Sequence, residues 1–162
     1  TGHPMRVRMT NFGPLGWVTD KERGYRYQPT HPETGKPWPR LPGVFLKLAR
    51  DAAASAGFEG FEPDACLINR YDPGARLSLH QDKNERDFEA PIVSVSLGLP
   101  AVFLFGGSHR ADTPRRVPLA HGDVVVWGGP ARLHYHGVMP LKEGCHSLVG
   151  EHRINLTFRK AA

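Results

Sequence analysis

The chain has 162 residues, of which 40% are hydrophobic, with 18 glycines, 15 prolines, two cysteines and a formal net charge of +5. This length and composition predict one globular domain, residues 1–162. The sequence contains no apolar run long enough to span a bilayer, and we expect no signal peptide because the first residues do not show that pattern. Two cysteines provide no disulfide framework and suit a reducing cytoplasm. Neither Cys66 nor Cys145 has a C-x-x-C partner, which disfavours a cysteine zinc site.

The first forty residues predict one short strand followed by an irregular segment. Residues 5–11 alternate weakly in polarity, as a strand does. Residues 17–42 combine aromatic and basic side chains with many prolines, which forbid a helix and restrict any strand to a sheet edge. We interpret residues 1–40 as a lid over a site. The alternative is a structural loop whose aromatics fill a small core, and Trp38, between two prolines, suits that alternative better.

One helix is predicted within residues 41–60. Pro42 suits a first helical turn, and Gly57 suits a C-terminal stop. Between them an apolar stripe recurs at helical spacing, formed by Val44, Phe45, Leu48, Ala49, Ala52 and Ala56. We expect this helix to support a sheet and to take no part in the chemistry.

After Pro63 the pattern changes to short strands separated by turns rich in glycine, proline and aspartate. The eight predicted strands span residues 65–71, 77–82, 92–99, 102–105, 116–119, 123–127, 133–136 and 153–159. Eight short strands at this spacing predict a sandwich or a closed barrel, and jelly rolls have eight. The sequence therefore predicts a mainly β (α+β) fold with a jelly-roll core in residues 64–162.

The tripeptide H-Q-D at residues 80–82 places His80 and Asp82 on one face of their predicted strand. Together they could supply two ligands of a 2-His-1-carboxylate site, which binds Fe(II) and leaves positions open for substrate and oxygen. Such a tripeptide alone is weak evidence, because it occurs by chance. A third ligand could come from L-H-Y-H-G, where His134 and His136 share a face and either could reach the metal, although a strand histidine is more often structural.

The last predicted strand carries two arginines on one face. Arg153, Asn155, Thr157 and Arg159 alternate with Ile154, Leu156 and Phe158. Guanidinium groups that face a pocket need anions, and a dicarboxylate would match two of them. The alternative is a solvated outer face with core residues opposite. Asn69 and Tyr71 share a face on an earlier strand and could bind the same anion.

Several motifs occur together in one order: N-R-Y-x-P-G-A-x-L-S-L-H-Q-D-K, I-V-S-V-S-L-G-L-P-A, H-G-D-V-V-V-W-G-G, Y-H-G and R-x-N-L-T-F-R. With T-N-x-G-x-L-G-W and K-P-W-P they cover nearly the whole chain, which resembles the AlkB family of Fe(II)/2-oxoglutarate dioxygenases and, more narrowly, its bacterial branch. The resemblance implies a double-stranded β-helix, the jelly-roll arrangement, with an N-terminal nucleotide-recognition lid. It implies Fe(II), 2-oxoglutarate and O2 as cofactors. The implied activity is oxidative demethylation of N-alkylated bases in DNA, such as N1-methyladenine and N3-methylcytosine, with release of succinate, CO2 and formaldehyde.

The resemblance also implies roles by position. Metal binding falls to His80, Asp82 and His136, because the family histidine directly precedes the glycine of Y-H-G, and catalysis falls to these three and Arg159. Binding of 2-oxoglutarate falls to Asn69, Tyr71, Arg153, Asn155 and Arg159, with Arg153 on the distal carboxylate and Arg159 near the carboxylate beside the keto group. Substrate binding falls to Trp17, Tyr25, His80, Asn84 and Arg110, with Trp17 and His80 on either side of a flipped base. Nucleic-acid contacts fall to Arg76, Gln81 and Lys83.

The stretch H-Q-D-K-N-E departs from the family pattern at Asn84, where an acidic residue is expected near the base edge. A carboxylate favours a cationic methylated base, whereas an amide can donate as well as accept hydrogen bonds. We therefore predict a shifted lesion preference. Glu85 could substitute for the acidic residue, although strand parity argues against it.

The excess of basic over acidic residues is relevant to the kind of molecule that the protein binds. A net charge of +5 and a pI of about 9.5 favour polyanions, but they serve solubility equally well. The expected partner is alkylated DNA, single-stranded or with a flipped base, since a methylated Watson–Crick edge leaves the base unpaired and easy to extrude. We expect a monomer. An RNA demethylase of the same mechanism, a non-catalytic nucleic-acid-binding jelly-roll module and a metal-dependent protein hydroxylase are the alternatives.

Overall fold

The structure is a computed structural model that describes residues 7–162. Its strands are β1 (Arg8–Phe12), β2 (Gly16–Asp20), β3 (Gly24–Gln28), β4 (Ala65–Tyr71), β5 (Leu77–His80), β6 (Ile92–Gly98), β7 (Ala101–Phe105), β8 (Arg115–Leu119), β9 (Val124–Trp127), β10 (His136–Val138) and β11 (Arg153–Arg159). The described residues also form one α-helix, α1 (Gly43–Ser55), and a short 3₁₀ helix (Gly129–Ala131). Across residues 7–162, no helix combines the length and the apolar character that crossing a bilayer requires.

Strands β4 to β11 form two facing antiparallel sheets. The larger sheet has the order β1-β4-β11-β6-β9, and the smaller has the order β5-β10-β7-β8. Each sheet therefore takes four of the eight core strands, which confirms the predicted jelly-roll fold. An apolar cluster that includes Tyr71, Phe103, Trp127 and Val138 lies between the sheets.

The two faces of β11 explain how the larger sheet is covered. Leu156 and Phe158 belong to a buried cluster with Ala49 and Ala53 of α1, as the alternation along the strand predicts. The intervening polar residues of β11 face the smaller sheet. The helix therefore covers the outer face of the larger sheet, and the inner face carries the polar side chains of β11.

The predicted stripe of α1 is displaced around the helix axis. Val44 and Leu48, which the stripe includes, are 70% and 38% exposed. The helix instead docks through Ala49 and Ala53, which are fully buried, with Phe45 against the same cluster. Small side chains at the contact let the helix approach the sheet closely, so they face it in place of the larger residues.

The segment predicted as irregular contains a hairpin, because β2 pairs with β3 in a register that places Trp17 opposite Tyr27. Gly24, with φ 68°, begins the return strand in the left-handed region that glycine adopts without strain. Trp38 has a structural role, since its Nε1 donates to the Gln28 carbonyl at 2.9 Å. The first predicted strand corresponds to β1, which pairs with β4, and its residues 5 and 6 lie outside the described residues.

Candidate metal centre

Two histidines face each other across neighbouring strands of the smaller sheet. His80 is the last residue of β5, His136 is the first residue of β10, and the two are paired in register. The carboxylate oxygens of Asp82 lie 3.6 Å from Nε2 of His80 and 3.2 Å from Nε2 of His136. One ligand atom from each of the three residues lies within 4.8 Å of the others, which suits a single metal ion.

Backbone carbonyls orient both imidazole rings. Nδ1 of His80 donates to the Ser78 carbonyl at 2.8 Å, and Nδ1 of His136 donates to the His134 carbonyl at 3.0 Å. A ring whose Nδ1 carries the proton presents the lone pair of Nε2, the atom that faces Asp82 in each case. The local backbone therefore selects the tautomer that a metal needs.

The charge state of the centre also suits a divalent cation. Burial and the neighbouring His136 ring lower the pKa of His80, which favours the neutral imidazole. Burial raises the pKa of Asp82, but the Arg159 charge and the nearby His136 outweigh it and bring the pKa below its ordinary range. Oδ2 of Asp82 is buried and accepts no hydrogen bond from any residue in the described range. These donors fit a hard or borderline metal ion such as Fe(II).

Two sequence predictions about this centre are wrong in detail. The strand predicted over residues 77–82 ends at His80, so Asp82 reaches the centre from a loop and not by strand parity. The strand predicted over residues 133–136 begins at His136. His134 lies before it in a non-strand segment, and its ring packs on Phe105 with a centroid distance of 5.5 Å. His136 is therefore the histidine that faces Asp82.

The polar face of the larger sheet presents Arg153 next to Tyr71, its partner in register. The Arg153 side chain is 1% exposed, its Nη2 donates to Oγ of Ser96 at 2.9 Å, and its guanidinium carbon lies 5.0 Å from the centre of the Tyr71 ring. Within residues 7–162, Nε and Nη1 of Arg153 have no acceptor. The alternative of a solvated outer face is wrong here, and the free N–H groups suit a carboxylate.

Further along the same face, the side chain of Asn155 is already hydrogen-bonded. Its Nδ2 donates to Oγ of Ser94 at 2.7 Å and to the Val95 carbonyl at 3.0 Å, and its Oδ1 accepts from Thr157 at 2.9 Å. Asn69 lies opposite Asn155 in register on β4 and is half-buried. The structure thus places the two amides together on the face that carries Arg153.

Arg159, at the end of β11, lies beside the carboxylate of Asp82. Its Nη2 is 3.2 Å from Oδ2 of Asp82, and its Nη1 donates to the Tyr27 hydroxyl at 3.2 Å. Burial lowers the pKa of Arg159, but Asp82 outweighs it and raises the pKa above its ordinary value. The guanidinium is therefore a fixed positive charge at the metal centre.

The hairpin places an aromatic pair near the loop that carries Asp82. The rings of Trp17 and Tyr25 stack with centroids 5.2 Å apart and an interplanar angle of 17°. Nε1 of Trp17 donates to Oδ1 of Asn84 at 3.2 Å, which joins the hairpin to that loop. Tyr25 is 65% exposed, so the stack has a free outer surface.

The remaining predicted contacts surround the same centre. Arg110 donates from Nη1 to the Leu79 carbonyl at 2.6 Å, directly before His80 in the chain. Gln81 donates to the Leu133 carbonyl at 2.9 Å, so its amide is engaged by the protein. Arg76 and Lys83 are exposed.

Three residues near the centre were missed as site residues from the sequence: Tyr27, Glu85 and Arg132. Glu85, considered as a substitute at the base edge, is 4% exposed and accepts from Arg132 at 2.6 Å. Tyr27 lies on the same face of β3 as Tyr25, which was already a candidate. This relation could not be used from the sequence because β3 was not predicted. No pattern in the sequence marks Arg132.

A jelly roll with a 2-His-1-carboxylate centre beside buried arginines defines the class of mononuclear non-haem iron oxygenases. Comparison with known proteins agrees, because residues 1–159 match the 2OG-Fe(II) oxygenase superfamily.

Individual relatives narrow this class. The chain is 62% identical over 161 residues to the alpha-ketoglutarate-dependent dioxygenase AlkB of Salmonella typhimurium, covering 99% of this chain and 74% of that protein. It is 35% identical over 172 residues to the DNA N(6)-methyladenine demethylase ALKBH1C of Arabidopsis thaliana, covering 90% of this chain and 38% of that protein. The solved structure of OsALKBH1 superposes with a TM-score of 0.81 at 31% identity, covering 95% of this chain and 78% of that one. The chain belongs to the AlkB family of Fe(II)- and 2-oxoglutarate-dependent dioxygenases, and its cofactors are Fe(II), 2-oxoglutarate and O2.

Proposed function

We propose that this dioxygenase demethylates N-alkylated bases in DNA, of the N1-methyladenine and N3-methylcytosine type. The observation that carries the proposal is the stacked pair of Trp17 and Tyr25, joined through Asn84 to the loop that holds Asp82. Aromatic side chains bind the planar faces of bases. A platform of this kind beside a buried metal centre suits a base that presents its methyl group to the metal.

In this proposal His80, Asp82 and His136 bind the iron. Bound Fe(II) supplies oxidation of the N-methyl carbon by O2, coupled to conversion of 2-oxoglutarate into succinate and CO2. The hydroxylated methyl group leaves as formaldehyde and the base is restored. The three residues would hold the ion through their imidazole and carboxylate atoms, and a centre with only three protein ligands would leave positions free for the co-substrate and oxygen.

The two buried arginines bind the carboxylates of 2-oxoglutarate. Nε and Nη1 of Arg153, which have no acceptor among the described residues, are the N–H groups available to the distal carboxylate. Arg159, next to Asp82, binds the carboxylate beside the keto group, which is its role in catalysis. The other co-substrate contacts are Asn69, Tyr71 and Asn155, on the same polar face.

The flipped base stacks between Trp17 and the ring of His80, the metal ligand with the most exposed side chain at 34%. Asn84 meets the base edge, and Tyr25 and Arg110 complete the substrate contacts at the rim of the site. A methylated Watson–Crick edge cannot pair, so single-stranded DNA or a flipped base costs little to capture.

Outside the base pocket, Arg76, Gln81 and Lys83 contact the nucleic-acid backbone, and the net charge of +5 favours that polyanion. We further propose that the enzyme acts as a monomer in the cytoplasm, where both cysteines stay reduced.

Asn84 sets the lesion preference in this proposal. Asn84→Asp adds a carboxylate at the base edge, which favours the cationic lesions methyladenine and methylcytosine over neutral etheno lesions. Relative rates on the three substrates, measured in competition, should shift toward the cationic pair. Unchanged ratios would show that Asn84 does not contact the base.

The proposal is tested with paired DNA and RNA oligonucleotides of one sequence, each with a single N1-methyladenine. Loss of the methyl group, followed by mass spectrometry in the presence of Fe(II) and 2-oxoglutarate, should be faster on the DNA strand. Preference for the RNA strand would replace the DNA assignment with an RNA demethylase. Turnover of 2-oxoglutarate with neither strand altered would point to a protein substrate.

A further inference from the structure

Tyr27, Glu85 and Arg132, together with Arg159, form a closed ring of hydrogen bonds and one ion pair that passes through Asp82. Arg132 donates from Nη1 to the backbone carbonyl of Asp82 at 2.7 Å and from Nη2 to Oε1 of Glu85 at 2.6 Å. Oε2 of Glu85 accepts from the Tyr27 hydroxyl at 3.1 Å, and that hydroxyl accepts from Arg159 at 3.2 Å. An ion pair between Nη2 of Arg159 and Oδ2 of Asp82, at 3.2 Å, closes the ring.

The four charged members of the ring are buried, and their charges balance. Asp82, Glu85, Arg132 and Arg159 are 6%, 4%, 3% and 7% exposed, and two carboxylates match two guanidinium groups. Buried charges are costly unless they are paired and hydrogen-bonded, so each member constrains its neighbours. Such a ring has few alternative arrangements, and it fixes the geometry of the residues it passes through.

Asp82 needs this support more than the two histidines do. His80 and His136 are held by strand pairing, whereas Asp82 lies beyond the end of β5. Arg132 fixes its backbone and Arg159 fixes its carboxylate, so the two ends of the ring meet on one residue. The other members supply no metal ligand of their own.

We propose that Tyr27, Glu85 and Arg132 are positioning residues that hold Asp82 in the orientation for metal binding. The inference rests on the proposed role of Asp82 as a metal ligand. Groups that hydrogen-bond to metal ligands set metal affinity, and their loss weakens it by about 10- to 100-fold. Tyr27, which reaches Asp82 through Arg159, should act at the lower end of that range.

The test measures Co(II) binding to the apo protein, by the d–d absorption of the bound ion, without 2-oxoglutarate or nucleic acid. Without 2-oxoglutarate, the measurement reports only how Arg159 holds Asp82 and not how Arg159 binds the carboxylate of the co-substrate. Tyr27→Phe removes one hydroxyl and keeps the ring, so the fold is retained. Its Co(II) Kd should rise by about tenfold, with a changed absorption spectrum.

A double variant removes the ion pair of Arg132 with Glu85 without leaving either charge buried and unpaired. Glu85→Leu with Arg132→Met removes both charges at similar volume, a change that buried pairs often tolerate. Its Co(II) Kd should rise by about 10- to 100-fold while the circular dichroism spectrum stays that of the parent. Arg50→Gln is the matched control, because it breaks an exposed ion pair with Glu62 that lies outside the centre.

The outcomes separate this inference from the proposed function. Wild-type Co(II) affinity in both Tyr27→Phe and the double variant, with His80→Ala unable to bind, would overturn the positioning role and leave the metal centre standing. Equal binding by the wild type and His80→Ala would instead remove the metal assignment itself. Loss of thermal stability with an unchanged Kd would show that the ring is merely structural, which also overturns the proposal.

Discussion

Asp82 and Glu85 are buried carboxylates three residues apart, and they have different surroundings at the metal centre. Oδ1 of Asp82 lies 3.6 Å from Nε2 of His80, and Oδ2 lies 3.2 Å from Nε2 of His136. Both oxygens of Glu85 instead accept hydrogen bonds, from Arg132 and Tyr27. Only the Asp82 carboxylate lies beside both imidazoles, so it can share a metal ion with them. Position beside the histidines therefore separates Asp82 from Glu85, whose oxygens are both engaged by protein donors.

Single substitutions of two ligands should differ in their effect on stability. Both His80→Ala and Asp82→Ala should abolish formaldehyde release. His80→Ala should leave the free energy of unfolding nearly unchanged. Asp82→Ala removes the nearer of the two carboxylates beside Arg159, leaving only Glu85 at 4.0 Å, and should cost about 3 kcal/mol. Chemical denaturation measures the difference, with the exposed Asp51→Ala as control. Equal stability of the two variants would contradict the pairing of Asp82 with Arg159.

Arg153 offers a cleaner test of 2-oxoglutarate binding than Arg159, which also pairs with Asp82. Arg153→Lys keeps the charge but loses the planar fork. Losing one charged hydrogen bond costs about 1.5–3 kcal/mol, so the KM for 2-oxoglutarate should rise roughly 10- to 150-fold. Initial rates across a co-substrate series measure this, beside the exposed Arg116→Lys. An unchanged KM would remove Arg153 from the co-substrate site.

The sequence identifies some of these residues better than others. The H-x-D spacing identifies His80 and Asp82 as a candidate pair. The alternation of side chains along a strand puts His134 and His136 on the same face, and it cannot choose between them because it does not show that the strand begins at His136. Arg132 donates to backbone carbonyls and to one distant carboxylate, contacts that depend on tertiary structure and leave no periodic trace.

Among the elements, β11 was predicted with its observed bounds, Arg153–Arg159. One of its faces is apolar and the other polar, so the period of two is unbroken along the whole strand. The hairpin of β2 and β3 was missed because prolines follow it and because β2, Gly16–Asp20, does not alternate between apolar and polar residues. Its pairing comes from the turn and from contacts with distant parts of the chain.

A bulge in β5 sets the separation of the two histidines. Between the pairs His136–His80 and Val138–Leu77, β5 contributes one residue more than β10 does. Gly137 packs against this bulge, and a Cβ there would lie 2.6 Å from the Leu77 carbonyl oxygen. Bulges of this kind re-aim side chains next to active sites.

Gly137→Ala should therefore push β10 away from β5 and separate the metal ligands. Overpacking of this type costs about 1–3 kcal/mol, and Co(II) affinity should fall with stability. The control is Gly43→Ala, since an added Cβ there meets no described atom within 4 Å. Wild-type Co(II) affinity in Gly137→Ala would show that this close approach does not position His136.

At the scale of the whole molecule, the jelly roll places its polar face and its metal centre in the space between the two sheets. The larger sheet contributes Arg153 and Arg159, the smaller sheet contributes His80 and His136, and α1 covers the opposite face. The hairpin adds an aromatic surface beside this opening. One fold thus joins a buried polar site to an exposed aromatic surface.

The stability of the metal-free protein should fall as the pH drops through the range where free histidine titrates. The folded-state pKa of His80 is lowered, so below about 6.5 the unfolded state takes up its proton first and the stability present at higher pH is lost. The lowered pKa of Asp82 adds a second loss below about 3.8. Thermal unfolding of His80→Asn between pH 8 and 5 should show a flatter pH dependence than the wild type, and identical slopes would contradict it.

The central claim, oxidative demethylation of a nucleic-acid base, is tested most directly by product analysis on an oligonucleotide with one N1-methyladenine. Formaldehyde and succinate are measured with both Fe(II) and 2-oxoglutarate, with each left out in turn, and with the unmethylated strand. We predict formaldehyde release from the methylated strand that requires both additions and is matched by succinate. Succinate without formaldehyde under these conditions would contradict the claim.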